Sequence, residues 1–297
     1  MLFNQIIQTE QIPTSFKVEL TVTLHKGKNK SATDPSNYRA ISLLPAVFKI
    51  FEKIVLNRFE TIRPELKTNK LQYGFQRGKS CKMASFMLQE SRDYCIELGS
   101  PLHACYLDAK AAFDKVWLTG LVYKLHTMGI RGKLLRIVNS ALRGTRSNVL
   151  HDNRLSVPFN IEQGTRQGSI CAPFYYTVYI NDFLKDLSAS TYGLHIGEVP
   201  LSAPTQADDI VLSSLSRKGL HEMLDMCCNY ANRWRYTYTP AKCSSMPMDR
   251  WQRQNTPLPV LRYGEKLIQE DPTYTHIGIV QSSSGKYPVI LTTYARV

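Results

Sequence analysis

The sequence predicts an α+β chain, and three observations predict it. An apolar run over 102–107 has the length and content of a strand, and it ends in an acid, Asp108. An acid doublet, Asp208-Asp209, lies between two short strand-like runs. Helical patterns separate these two features and follow the second. Strand, helix, hairpin, helix, strand is the order of a split β-α-β arrangement, ferredoxin-like and antiparallel. Neighbouring side chains on a strand point to opposite faces, so two adjacent Asp inside a sheet would waste one carboxylate and bury a charge. At the bend of a hairpin both reach one side, and oxygen ligands gathered there suit a hard divalent cation.

The elements follow in order. A short helix is expected over 2–9. Residues 18–24 alternate apolar and polar, as in a half-buried strand. His25-Lys26-Gly27-Lys28-Asn29-Lys30 is a basic loop, and Asp34-Pro35-Ser36-Asn37 is turn chemistry before a second strand over 38–44. Two strands, a basic loop and Arg39 make a clamp for phosphates, Arg offering a fork and Lys a point charge. A helix over 49–62 is expected to present Ile50, Ile54 and Val55 on one face. Gln72 to Ser80 is a Gly-punctuated loop with aromatic and basic residues, suited to stacking bases and holding a backbone. In the helix expected over 82–97, Met83, Phe86, Met87 and Glu90 fall at helical spacing, and the Met residues read as core.

Beyond Asp108, Trp117, Leu121, Leu125 and Met128 mark a helix closed by Gly129, and another is expected over 133–142. His151-Asp152-Asn153 joins two strand-like runs as a hairpin. Gly164-Thr165-Arg166-Gln167-Gly168 then bends into a helix over 170–187. Its glycines let backbone approach a ligand, and Gln167 can bond a base or sugar edge. Leu220, Met223, Leu224, Cys227, Ala231 and Trp234 fall at helical spacing. Thr275 to Ile279 reads as a short closing strand.

The composition narrows the function. The chain has 297 residues, 43% of them hydrophobic, so a packed core is within reach and wholesale disorder is excluded. Lys and Arg number 37 against 24 Asp and Glu, a net charge of +13 that favours a polyanionic partner, nucleic acid first. Seven Cys form no C-x-x-C pair, which points to reduced thiols inside the cell rather than a disulfide framework or zinc site. No signal peptide and no run of about 18 apolar residues is present. Two classes of function fit: an enzyme of phosphoryl transfer, and a non-catalytic basic module that binds RNA or an RNA–DNA hybrid.

An ordered set of motifs resembles the reverse transcriptase of non-LTR (LINE-type) retrotransposons. It comprises Asn37-Tyr38-Arg39-Ala40-Ile41-Ser42-Leu43, Gly74-Phe75, Leu107-Asp108-Ala109-Lys110-Ala111-Ala112-Phe113-Asp114, Gly164-Thr165-Arg166-Gln167-Gly168-Ser169, Tyr179-Ile180-Asn181-Asp182, Ala207-Asp208-Asp209, Trp234 with Lys242, and Thr275-His276-Ile277-Gly278. The set covers nearly the whole chain, in the family's order.

The resemblance implies a right-hand polymerase, with fingers and part of the palm in 1–100, palm in 101–280, and a tail or truncated thumb start in 281–297. The palm is expected to be an antiparallel ferredoxin-like sheet with helices on one face, the thumb largely missing. The implied reaction joins deoxynucleotides to a primer 3′-OH on an RNA template, with Mg²⁺, or Mn²⁺ in its place. Asp108 and Asp208 are the implied metal ligands, supported by Asp209. Lys26 or Lys28 and Arg39 grip the triphosphate. Phe113 lies beneath the incoming sugar, where its ring excludes a ribose 2′-OH, and Gln167-Gly168 faces nucleotide and template. Lys242 corresponds to a lysine that protonates departing pyrophosphate, and His276-Ile277-Gly278 to the primer grip. Asp114 and Lys110 read as structural or solvated. An RNA-dependent RNA polymerase is disfavoured by Phe113 and by Ala-Asp-Asp in place of Gly-Asp-Asp. A retroelement protein is expected in the nucleus and cytoplasm.

The chain departs from the family at Gln206, where an aromatic usually precedes Ala-Asp-Asp, and at Cys171-Ala172-Pro173. No endonuclease domain precedes the fingers in this sequence.

Overall fold

A computed structural model of the chain describes residues 1–27, 30–62, 68–248 and 260–283. Lys28, the alternative triphosphate lysine, and most of the expected tail, 284–297, lie outside the described residues. The chain divides into two compact units, each built from two stretches of sequence: 1–67 with 113–179, and 68–112 with 180–297.

The first unit is organised on the strand Val18–His25. It pairs antiparallel with Tyr38–Leu43 and parallel with Thr145–His151. Asp34 starts the turn between the first two strands, its carboxylate accepting from Ser36 N at 2.8 Å. Thr145–His151 turns back through Asp152-Asn153, both at positive φ, into Arg154–Leu155. Asn and Asp tolerate that conformation, so the hairpin forms where the sequence places it. The helices Ala46–Ile62, Leu118–Thr127 and Gly132–Leu142 belong to this unit. Phe48, Phe51, Val55 and Phe59 form the buried face of Ala46–Ile62, while Ile50 and Ile54 are exposed. That corrects the expected face: the helix has apolar residues all round, and the bulkier aromatic stripe takes the core.

The second unit holds a five-stranded sheet with Gln269–Glu270, Ser244–Pro247, His103–Asp108, Asp209–Ser214 and Thr205–Gln206 side by side. His103–Asp108 sits between Ser244–Pro247 and Asp209–Ser214, antiparallel to both. The helix Arg217–Trp234 packs on His103–Asp108 and Asp209–Ser214, burying Leu220, Met223, Leu224, Cys227, Ala231 and Trp234 as their spacing predicts. Its Cys227 senses Cys105. Alternate residues face the other way. There Ala104, Tyr106, Val211 and Met246 share one cluster with Leu88 and Cys95 of the helix Cys81–Glu97. Helices therefore cover both faces of the sheet, not one. Leu88 and Cys95 need a partner for their stripe, and the sheet supplies it. Met83 points to solvent instead, so it is not core, while Met87 packs against that cluster. The expected closing strand is a hairpin, Thr273–His276 with Ile279–Ser282, turned at Ile277-Gly278.

Candidate active site

In the second unit the sheet brings the acids together. Asp209 stands directly opposite Asp108 in the antiparallel register, so both side chains lie on one face. Gln206 pairs with Asp209, leaving Ala207 and Asp208 as the two-residue turn between the strands. Ala207 has φ of 58°, a left-handed conformation that costs a non-glycine residue about 1–2 kcal/mol. The structure thus places Asp208 at the bend and Asp209 at the strand start, one residue apart yet beside the same partner.

The charges of these acids oppose one another. Burial pushes the Asp209 carboxyl up to about 6, with Asp208 and Asp108 adding repulsion. Asp208 is raised too, by burial and then by the charge of Asp108. Lys242 Nζ lies 3.5 Å from Asp108 Oδ2, a partly exposed pair. Among the described residues, no three His, Cys, Asp or Glu side chains gather closely enough to enclose one ion. The donor set still fits a hard divalent cation. It is all carboxylate oxygen, and its repulsion is the excess charge that such an ion neutralises.

An aromatic stack seats the closing hairpin beside these acids. Tyr274 stacks on Tyr106 with ring centroids 4.4 Å apart, and His276 stands 5.5 Å from Tyr106. Tyr274 Oη donates to Lys242 O at 3.2 Å. Burial and the charges of Asp108 and Asp209 push the Tyr274 phenol up to about 12. His276 is buried, which pulls its pKa to about 4 and keeps the ring neutral near pH 7. Gln206, standing where the resembling family carries an aromatic, has its Oε1 buried without a partner.

The remaining expected site residues belong to the first unit. Arg39 is exposed on Tyr38–Leu43, paired with Leu24. Lys26 follows the neighbouring strand and donates to Ser36 O at 2.7 Å. Phe113 is half-buried and stacked on Tyr176, centroids 4.6 Å apart. Gln167 Nε2 donates to Asp114 Oδ1 at 2.8 Å, and Gln167 O accepts from Ser42 N at 2.7 Å. A Cβ on Gly168 would meet Ser42 O at 2.2 Å, and φ there is 138°. The glycine is needed for close approach, but to the chain's own backbone rather than only to a ligand.

A buried polar frame holds this loop. Ser42 Oγ donates to Glu19 Oε1 at 2.8 Å, and Arg166 Nε lies 3.8 Å from Glu19 Oε2. Arg166 also caps the Phe48 ring at 4.7 Å. Glu52 accepts from Ser169 Oγ at 2.5 Å and from Ile170 N at 3.0 Å. Burial raises both carboxyls, against the pull of these donors. Sequence reasoning missed Glu19 and Glu52, because an acid on a strand or helix reads as solvent-facing until its partners are known.

Known proteins resemble this chain. A family described as "Reverse transcriptase (RNA-dependent DNA polymerase)" matches residues 25–275. The chain is 28% identical over 293 residues to the RNA-directed DNA polymerase from mobile element jockey of Drosophila melanogaster, covering 94% of this chain and 30% of that protein. It is 27% identical to the probable RNA-directed DNA polymerase from transposon X-element of the same fly, covering 98% of this chain and 30% of the relative. The chain therefore spans about a third of the length of these relatives. Among solved structures, apo telomerase from Candida tropicalis, truncated from its C-terminal domain, shares the fold at 10% identity. Its TM-score is 0.59, over 95% of this chain and 57% of that one.

Proposed function

Because the chain belongs to the reverse transcriptase (RNA-dependent DNA polymerase) family, we propose that it copies RNA into DNA as the polymerase domain of a LINE-type retrotransposon protein. The carrying observation is Asp209 set directly against Asp108 beside the doublet turn, with its carboxyl raised by burial and by the charges of Asp208 and Asp108. Asp108 and Asp208 would hold divalent ions, Mg²⁺ or Mn²⁺, with Asp209 in support; the chemistry such ions would supply there is a lower pKa for the primer 3′-OH and neutralised charge on the triphosphate.

The chain's own residues do the rest. Arg39 and Lys26 grip the triphosphate of an incoming deoxynucleotide. Phe113 fills the space a ribose 2′-OH needs. Gln167 and Gly168 face nucleotide and template, and the turn His276-Ile277-Gly278 holds the primer. The 3′-oxygen gives up its proton to solvent and bonds to the α-phosphorus, the bond from the α-phosphorus to pyrophosphate breaks, and Lys242 gives the departing pyrophosphate a proton. Fingers with part of the palm in 1–100, palm in 101–280 and a tail or truncated thumb start in 281–297 are the corresponding divisions. RNA template and DNA primer are the macromolecular partners, with the nucleus and cytoplasm as the place of action. Among the described residues no helix is long and apolar enough to cross a membrane.

Extension of a labelled primer on RNA tests this. Asp208→Asn is expected to lower extension by more than about a hundredfold, as loss of transition-state electrostatics does, with RNA binding retained. One observation favours a second reading, a basic module that binds RNA without catalysis: no three acids enclose an ion among the described residues. Binding by the unsubstituted chain with no extension would establish that reading.

A further inference from the structure

The turn that carries Asp208 is closed by the pairing of Gln206 with Asp209, and it is also held from outside its own hairpin. Ala207 sits in the left-handed region at φ 58°, where glycine or asparagine is the usual occupant. A residue far away in sequence secures it. Gln72 is fully buried. Its Oε1 accepts from Ala207 N at 3.0 Å and from Gly74 N at 2.7 Å, and its Nε2 faces Ala207 O at 3.4 Å. One carboxamide thus meets both the donor and the acceptor of a single peptide residue, as a neighbouring strand would.

The surroundings fix that carboxamide. Tyr73 N donates to Thr205 O, and Thr205 N to Leu71 O, each at 2.8 Å, so 71–73 runs alongside Thr205–Gln206. Lys79 Nζ donates to Gln72 O and Lys70 O, each at 2.8 Å. A Cβ on Gly74 would stand 2.4 Å from Ala207 N, so only glycine lets the loop come this close.

We propose that Gln72 is a positioning residue for the reaction: its side chain locks the left-handed Ala207 and so aims Asp208. This rests on the polymerase reading above. Neither near-isostere substitutes well. Glutamate has acceptors only and brings a charge towards Asp208. Methionine keeps the volume and loses both partners.

The test uses the 297-residue chain and its variants Gln72→Met, Gln72→Glu and Gln72→Met/Ala207→Gly. Mn²⁺ binding is measured by calorimetry, Mg²⁺ dependence by single-nucleotide extension, and amide exchange by mass spectrometry over residues 203–210. Gln72→Met is expected to weaken Mn²⁺ binding and raise the half-saturating Mg²⁺ about tenfold, the scale for groups that orient a metal ligand. The KM for primer–template should stay unchanged while exchange at Ala207 accelerates. Glycine at 207 needs no lock, so the double variant should recover to within about threefold. Gln72→Glu should be at least as impaired as Gln72→Met.

Unaltered Mn²⁺ binding in a folded Gln72→Met chain overturns the proposal. So does failure of Ala207→Gly to restore binding. If the unsubstituted chain binds Mn²⁺ but extends nothing, the polymerase reading fails and the binding arms still decide on Gln72. If it binds no Mn²⁺, both fail.

Discussion

Gln167 donates its side-chain amide to Asp114 Oδ1 across 2.8 Å. An ionised carboxylate has only acceptors, so this contact fixes the amide's sense: Nε2 is engaged, and Oε1 is the end left to other partners. Asp114 is therefore more than a solvated acid beside a motif. Asp114→Ala is expected to raise the KM for deoxynucleotide about three- to tenfold with kcat little changed. That matches the roughly 1 kcal/mol of an exposed hydrogen bond. Single-turnover kinetics on both single variants and the double variant, Gln167→Ala included, should show that the two losses do not add.

The carboxyl of Asp209 predicts a pH effect with a definite sign. Its folded pKa, about 6, lies above the carboxyl's ordinary value of 3.8. The fold favours the protonated form, so this contribution to stability is fully present below about pH 4. It is lost as pH rises through about 6. In the metal-free chain, Asp209→Asn should raise Tm at pH 7.5 by about 2–4 °C, allowing for solvent screening. It should change little at pH 4. Calorimetric melts at the two pH values decide it.

Phe113→Ala or Phe113→Val should raise ribonucleotide incorporation about tenfold or more relative to deoxynucleotide, since the ring excludes by shape. Competitive primer extension with both sugars measures the ratio. An unchanged ratio would assign Phe113, stacked on Tyr176, to packing alone.

Leu224 is fully buried between helix and sheet, while Ile50 and Met83 are exposed. Leu224→Ala should cost about 2–5 kcal/mol. Ile50→Ala and Met83→Ala should each stay within about 0.5 kcal/mol of the parent. Urea titrations of the three variants separate core from surface.

The parts of the fold legible in the sequence are those where local pattern and burial coincide. Leu220 to Trp234 carries one apolar stripe, and that stripe is buried. Asp152-Asn153 has turn chemistry, and the hairpin forms there. Asp108 and the doublet were legible because an acid at the end of an apolar run has no packing reason to exist. What stayed hidden was decided by competition or distance. Ile50 and Met83 lost the core to larger or better-placed neighbours on the same helices. Ile277 takes a positive φ that a β-branched residue rarely adopts, so the resemblance to a primer-grip hairpin, and not the residue's own preference, points to a turn there. Gln72 and Ala207 are 135 positions apart, beyond the reach of any periodicity.

The ladder pairing between His103–Asp108 and Asp209–Ser214 makes competence a property of folding as much as of chemistry. A slip of one residue would turn every side chain of a strand to the opposite face, sending one carboxylate into the layer under Arg217–Trp234. Such a molecule would be dead rather than slow. Heterogeneous preparations should therefore differ in the fraction of live molecules, counted by active-site titration, and not in the turnover of each one.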